Sequence, residues 1–110
     1  MSPYSRRKPD PDRILGARLS GRAKYLARAG GPIDKAVAEL RELASGRGDM
    51  LAEEAGLMGG FWSARPDGDS GEKVIAVGLL IMAGADLDLI AAAFELGRKR
   101  GSTVTNVRRS

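Results

Sequence analysis

An all-α fold is what this sequence predicts, as a compact bundle of about five helices, and three observations lead there. Apolar residues recur every three or four positions in several separate stretches, the spacing of one helix face. Glycine, proline and aspartate cluster between those stretches, where helices stop and start. The third observation is the run Val74-Ile-Ala-Val-Gly-Leu-Leu-Ile-Met-Ala83, which carries no charge and is apolar on every side. A helix without a polar face has to be surrounded, so residues 74–83 are expected to form a buried central helix enclosed by the other four. With 110 residues the chain has material for one hydrophobic core, hence one domain. The expected divisions are a flexible basic arm at 1–9, the helical domain at 10–101 and a basic tail at 102–110.

Taken in order, residues 1–9 show no apolar period and hold Pro3, Pro9 and the cluster Arg6-Arg7-Lys8, the pattern of a disordered arm. Asp10-Pro11-Asp12 then reads as a helix start, with Asp10 as N-cap and Pro11 in the first position. Leu15, Leu19, Ala23 and Leu26 form the apolar stripe of this first helix. Arg13, Lys24 and Arg28 fall on its opposite face, and Arg18 and Arg22 lie along a flank. Gly30-Gly31-Pro32 ends it. A second helix, 33–44, buries Ile33, Val37, Leu40 and Ala44 and can pair Lys35 with Glu39. Ser45-Gly46-Arg47-Gly48 is a turn, and Asp49 caps a third helix carrying Met50, Leu51, Ala55, Leu57, Met58, Phe61 and Trp62. Gly56, Gly59 and Gly60 weaken that helix and mark either a close packing contact or a kink. The loop Arg65–Gly71 follows, and Asp69 with Glu72 forms a capping box that leads into the central helix. Gly84 closes that helix and Asp86 caps the fifth, whose stripe is Leu87, Ile90, Ala91 and Phe94. Arg98-Lys-Arg100 occupy its last turn, Gly101 terminates it, and Ser102–Ser110 form the tail, where Thr103-Val104-Thr105 can pair as a short strand.

Composition excludes several kinds of chemistry. The chain has no cysteine and no histidine, so disulfides, thiolate nucleophiles, zinc sites built on those ligands and triads of the Ser-His-Asp kind are all excluded. The basic start is followed by no apolar run of the secretory type, which points to a cytoplasmic protein. The uncharged stretch from Val74 to Ala85 spans roughly 18 Å as a helix against a bilayer core of about 30 Å, so no membrane span is expected. Charge is segregated along the chain. Residues 1–31 carry eight basic and two acidic side chains, residues 32–97 five basic and twelve acidic, and residues 98–110 five basic and no acidic ones.

Those basic ends carry the main functional expectation. Arg6, Arg7, Lys8, Arg18, Arg22, Arg28, Arg98, Lys99 and Arg100 are the candidate nucleic-acid-binding residues, acting on the phosphate backbone by counterion release. Neither basic tail holds an interleaved aromatic beyond Tyr4, so stacking on single strands is not expected. The alternative is a protein-interaction or self-association module, with a protein partner or a homodimer, centred on Met58, Phe61 and Trp62.

Two stretches resemble a helix-turn-helix. One is Leu51–Leu57, with Ala52, Gly56 and Leu57 at matching places and Trp62 at a buried position of the second helix. The other is Leu89–Gly97 followed by Ser102–Arg109. Glu39-x-x-Glu42 and Asp69-x-x-Glu72 resemble the paired acids with which the all-helical nucleotide pyrophosphohydrolases hold magnesium around a triphosphate, although the second pair is reversed here. The same four acids are explained as an exposed helix face and a cap. The expectation is therefore a non-enzymatic binding protein with no catalytic residue, metal or cofactor.

Overall fold

The computed structural model describes residues 10–65 and 71–109, the last seven of them by backbone alone. It is an all-α bundle of five helices, α1 Pro11–Ala29, α2 Ile33–Ala44, α3 Gly48–Ser63, α4 Gly71–Gly84 and α5 Leu87–Arg109. The expected arm at 1–9 and the cap by Asp69 lie outside the described residues. Among the described residues no helix is long and apolar enough to cross a membrane.

The helix ends follow local chemistry. Asp10 accepts from the Asp12 amide at 3.0 Å and Pro11 takes the first position of α1. Gly30 ends α1 at φ 70°, in the left-handed region that glycine enters without a Cβ penalty. Asp86 accepts from the Leu89 amide at 3.1 Å and starts α5. The expected cap by Asp49 is not formed. Asp49 sits in the first turn of α3, where its carboxylate holds Arg47, and the same guanidinium reaches Asp12 at 3.0 Å, which ties the start of α1 to the start of α3. Arg41 of α2 donates to the Ala83 and Met82 carbonyls at 3.2 and 3.1 Å, satisfying open acceptors at the end of α4.

The hub of the bundle is α3, which packs against all four other helices. The expected central helix is instead one of its neighbours. α4 buries Ala76, Leu79, Leu80 and Ala83 against α1, α2 and α3, but leaves Val74, Ile75 and Met82 exposed on its far side. Uniform apolarity did not decide which helix is enclosed, because α3 has the small residues that let its neighbours come close. A Cβ on Gly56 or Gly60 would collide with the α5 backbone, at Ile90 Oand at Phe94 O, and one on Gly97 would collide with Leu57 O. A Cβ on Gly101 would come within 2.5 Å of Phe61 O, and one on Gly84 within 2.7 Å of Ala52 N. The contacts of Gly56 with Ile90, Gly60 with Phe94 and Arg98, and Phe61 with Gly101 advance together, so α3 and α5 run parallel.

This seam also corrects the reading of α5. Among the side chains described, its buried positions are Ala93, Gly97 and Gly101, whereas Leu87, Ala91 and Phe94 of the expected stripe are exposed and Ile90 is half-buried. Gly101 does not end the helix. It sits against α3 and the backbone continues helically to Arg109, through the residues expected to form a tail or short strand. Ile33 is likewise exposed, at the first position of α2. The core itself is drawn from all of the first four helices, with Leu19, Leu40, Leu51 and Leu80 fully enclosed.

The glycines of α3 and α4 separate intrinsic helix propensity from packing. Alanine is favoured over glycine in a helix by about 1 kcal/mol, and a Cβ at Gly78 meets nothing within 4 Å. Gly78→Ala is therefore expected to raise the urea midpoint. Gly60→Ala is expected to lower stability by about 2 kcal/mol or more, because the methyl forces α3 and α5 apart. Equal effects at the two positions would contradict the close seam.

Candidate functional site

Among the described residues, the cations singled out in the sequence do not gather on one surface. Arg18 and Arg22 turn toward α2, lining a cleft with Tyr25 whose other wall is Glu39 and Glu42. Arg22 donates to Glu39 and lies 4.6 Å from the centre of the Tyr25 ring. That hydrogen bond holds the Glu39 carboxyl below its ordinary pKa, and Glu39 is thus engaged with Arg22 rather than Lys35. Arg28 donates to Glu72 at 3.0 and 3.4 Å, joining the end of α1 to the start of α4. Arg98 donates to Glu95 at 2.9 Å along α5. Three of the expected phosphate ligands are therefore matched by acids of the same chain. Arg6, Arg7 and Lys8 lie outside the described residues.

The aromatic set is also differently disposed. Met58 is buried, and Phe61 and Trp62 are half-buried with their rings edge to face at 5.2 Å. Lys73 lies 3.4 Å from the centre of the Trp62 ring, and Arg65 lies 5.4 and 5.8 Å from the Phe61 and Trp62 rings. The chain covers this pair with its own cations, so it is not a bare apolar patch.

What the fold does assemble is a cleft of about 350 Å³ between α1 and α5, floored by α3. Its α1 wall is Arg13, Ala17, Ser20 and Lys24, its α5 wall Gly97 and Arg100, and its floor includes Leu57, Met58 and Phe61. The spacing of four, three and four along α1 puts both cations on one helical face with small residues between them. Trp62 completes the far end. Toward the start of α1 the cleft adjoins a second depression, where Asp10, Asp12 and Arg13 of the α1 end lie across from Leu96 and Arg100, with Glu53 and Glu54 of α3 between them, so that four acids stand there against two cations. The first turn of α1 is thus brought beside the second half of α5. Arg13 and Lys24 were not among the expected ligands, since the side of α1 opposite its leucine stripe reads as plain solvent face. Their signal was the cation-small-small-cation spacing, which has meaning only once α5 stands alongside.

Glu54 is the acid within this cleft. It reaches toward α1 where Gly16 leaves room, since a Cβ on Gly16 would come within 2.7 Å of its Oε2. Partial burial pushes the Glu54 carboxyl above its ordinary pKa, Glu53 adds to the rise, and Arg100 opposes it.

Neither helix-turn-helix resemblance is realised. The turn required at Gly56 lies inside the continuous helix α3, and Leu89–Arg109 is a single helix with no turn. Of the paired acids, Asp69 lies outside the described residues. Glu39 and Glu72 are held by Arg22 and Arg28, and among the described residues no group of three or more acidic side chains is placed to hold a metal ion. Comparison with protein-family models, curated proteins and solved structures returned no match for the chain.

Because its folded-state pKa is raised, Glu54 contributes to stability below about pH 4 and loses that contribution as pH rises through its own titration. Glu54→Gln is expected to be more stable than the parent chain at pH 7 by about 0.5 kcal/mol or less, since the group is half-exposed and screened. The gain should vanish at about pH 3.5. Thermal midpoints across that pH range measure it, and a gain that persists in acid would contradict the assignment.

Proposed function

We propose that this protein binds the phosphate backbone of a nucleic acid, with Arg13, Lys24 and Arg100 of the α1–α5 cleft as the centre of the contact. The observation that carries the reading is the approach of the first turn of α1 to Leu96 and Arg100. Arg6, Arg7 and Lys8 precede Asp10 in the chain, and Arg98 and Lys99 adjoin Arg100. Three cations on two facing helices supply the charge array that counterion release needs. Base recognition is not part of the proposal. The contact is to phosphate and is indifferent to sequence. Arg22, Arg28 and Arg98 add little to it, being matched by Glu39, Glu72 and Glu95. The protein acts here as a non-enzymatic binder.

The expected behaviour is binding to a labelled DNA duplex or structured RNA at about 50 mM salt that weakens steeply as salt rises. Replacing Arg13, Lys24 and Arg100 together by alanine should reduce affinity at least tenfold and flatten the logarithmic salt slope by roughly 3. The same change at Arg22, Arg28 and Arg98 should cost less and flatten the slope less. Fluorescence anisotropy reads both quantities. Unchanged anisotropy at low salt, or equal losses from the two sets, would remove the proposal.

A further inference from the structure

Glu54 stands where the α1–α5 cleft and the depression beside it meet, and it lines both. Charged groups face it from three helices. On α1 these are Arg13 and Lys24 in the cleft and Asp10 and Asp12 beyond it, on α5 Arg100, and on its own helix Glu53. Asp10 caps α1 and Asp12 is held by Arg47. Those two acids and Glu53 are exposed, whereas Glu54 is half-buried. Its carboxyl has room because residue 16 of α1 is glycine, where a Cβ would come within 2.7 Å of Oε2. Glycine inside a helix is unfavourable, and so is a carboxylate drawn out of water. Two unfavourable choices on neighbouring helices thus fit one another. Among the described residues none of the cations of the cleft closes an ion pair with Glu54, so the second choice is not offset by direct pairing.

We propose that Glu54 couples polyanion binding in the α1–α5 cleft to proton uptake, its carboxylate opposing phosphate and its neutral acid admitting it. The coupling rests on the reading of this cleft as the phosphate site. Protonation leaves Arg13, Lys24 and Arg100 around a neutral group where they had surrounded an anion. Partial burial keeps the proton on Glu54 to a higher pH than on an ordinary carboxylate, Glu53 acts in the same direction, and Arg100 acts against it. A phosphate in the cleft sets further negative charge beside the carboxyl and strengthens its hold on the proton again. Binding and protonation therefore favour each other, and the linkage is reciprocal. Affinity rises as pH falls through the Glu54 titration, and the complex forms with uptake of a proton. The other acids do not duplicate this role. Asp10 and Asp12 are engaged by an amide and by Arg47, and Glu53 is exposed to water, where its charge is screened.

The test is fluorescence anisotropy with a labelled DNA duplex of A·T pairs, at fixed ionic strength between about pH 7.5 and pH 5. Affinity of the unmodified chain should rise with falling pH. Glu54→Gln should bind about threefold or more tighter than the unmodified chain at about pH 7.5, the effect of one charge a few ångströms from phosphate in a wet site. That difference should shrink toward about pH 5 as Glu54 itself becomes neutral. Glu53→Gln should leave the pH response in place. Calorimetry at about pH 5.5, in buffers of different ionisation enthalpy, should show proton uptake on binding by the unmodified chain and the loss of most of it in Glu54→Gln. A pH response that survives Glu54→Gln, or equal effects of Glu53→Gln and Glu54→Gln, would overturn the coupling and leave the cleft as the phosphate site. Binding at no pH, or binding indifferent to Arg13, Lys24 and Arg100, would overturn both.

Discussion

Where α3 meets α5, carbonyl oxygens stand where side chains usually interlock. Gly56 and Gly60 on one helix and Gly97 and Gly101 on the other bring main chain against main chain, and α5 has no comparably extensive contact with any other helix. The parallel course of the two helices follows from this seam, and so does the position of Arg100 across from α1. The remaining helices are set by α3 from its other sides. α4 returns along it so closely that Gly84 touches the Ala52 backbone, and Arg47 fixes the first turn of α1 to that of α3.

Charge that is segregated along the chain becomes interleaved in space. The basic first helix lies between acids contributed by the middle of the chain, with Arg22 on Glu39 and Arg28 on Glu72. Such exposed pairs contribute little to stability, but they decide which cations remain to act outward. The net charge of the chain therefore says less about its surface than which cations folding leaves outside such pairs. Glu54 qualifies even the cleft, because its ionisation opposes the approach of a polyanion and its raised pKa makes that opposition depend on pH.

The helical class, the number of helices and most helix ends were legible in the sequence because caps and stops act locally, as at Asp10, Gly30 and Asp86. Helix order in space was not. The run at 74–83 has the stronger hydrophobic signal, yet α3 is the hub, since enclosure here depends on how near backbones can come and glycine leaves no mark on a hydropathy pattern. The same blindness chose Leu87, Ala91 and Phe94 as the inner face of α5 in place of Ala93, Gly97 and Gly101. Of the cleft, Arg100, Met58, Phe61 and Trp62 were singled out in advance, but under two separate readings. Arg13 and Lys24 were missed because their partner wall lies more than seventy residues further along the chain.

A seam made of backbone constrains descent differently from one made of side chains. Interlocked leucines can drift in pairs, one growing as its neighbour shrinks, whereas a carbonyl pressed on a glycine has no compensating change available. The four seam glycines of α3 and α5 are thus positions at which any side chain forces the two helices apart. The outward positions of α5 described as exposed, such as Ala91, Ala92 and Leu96, carry no such constraint and are free to change charge and shape around an unchanging axis. Such a molecule can change the charge of its outer surface without its helices being rearranged.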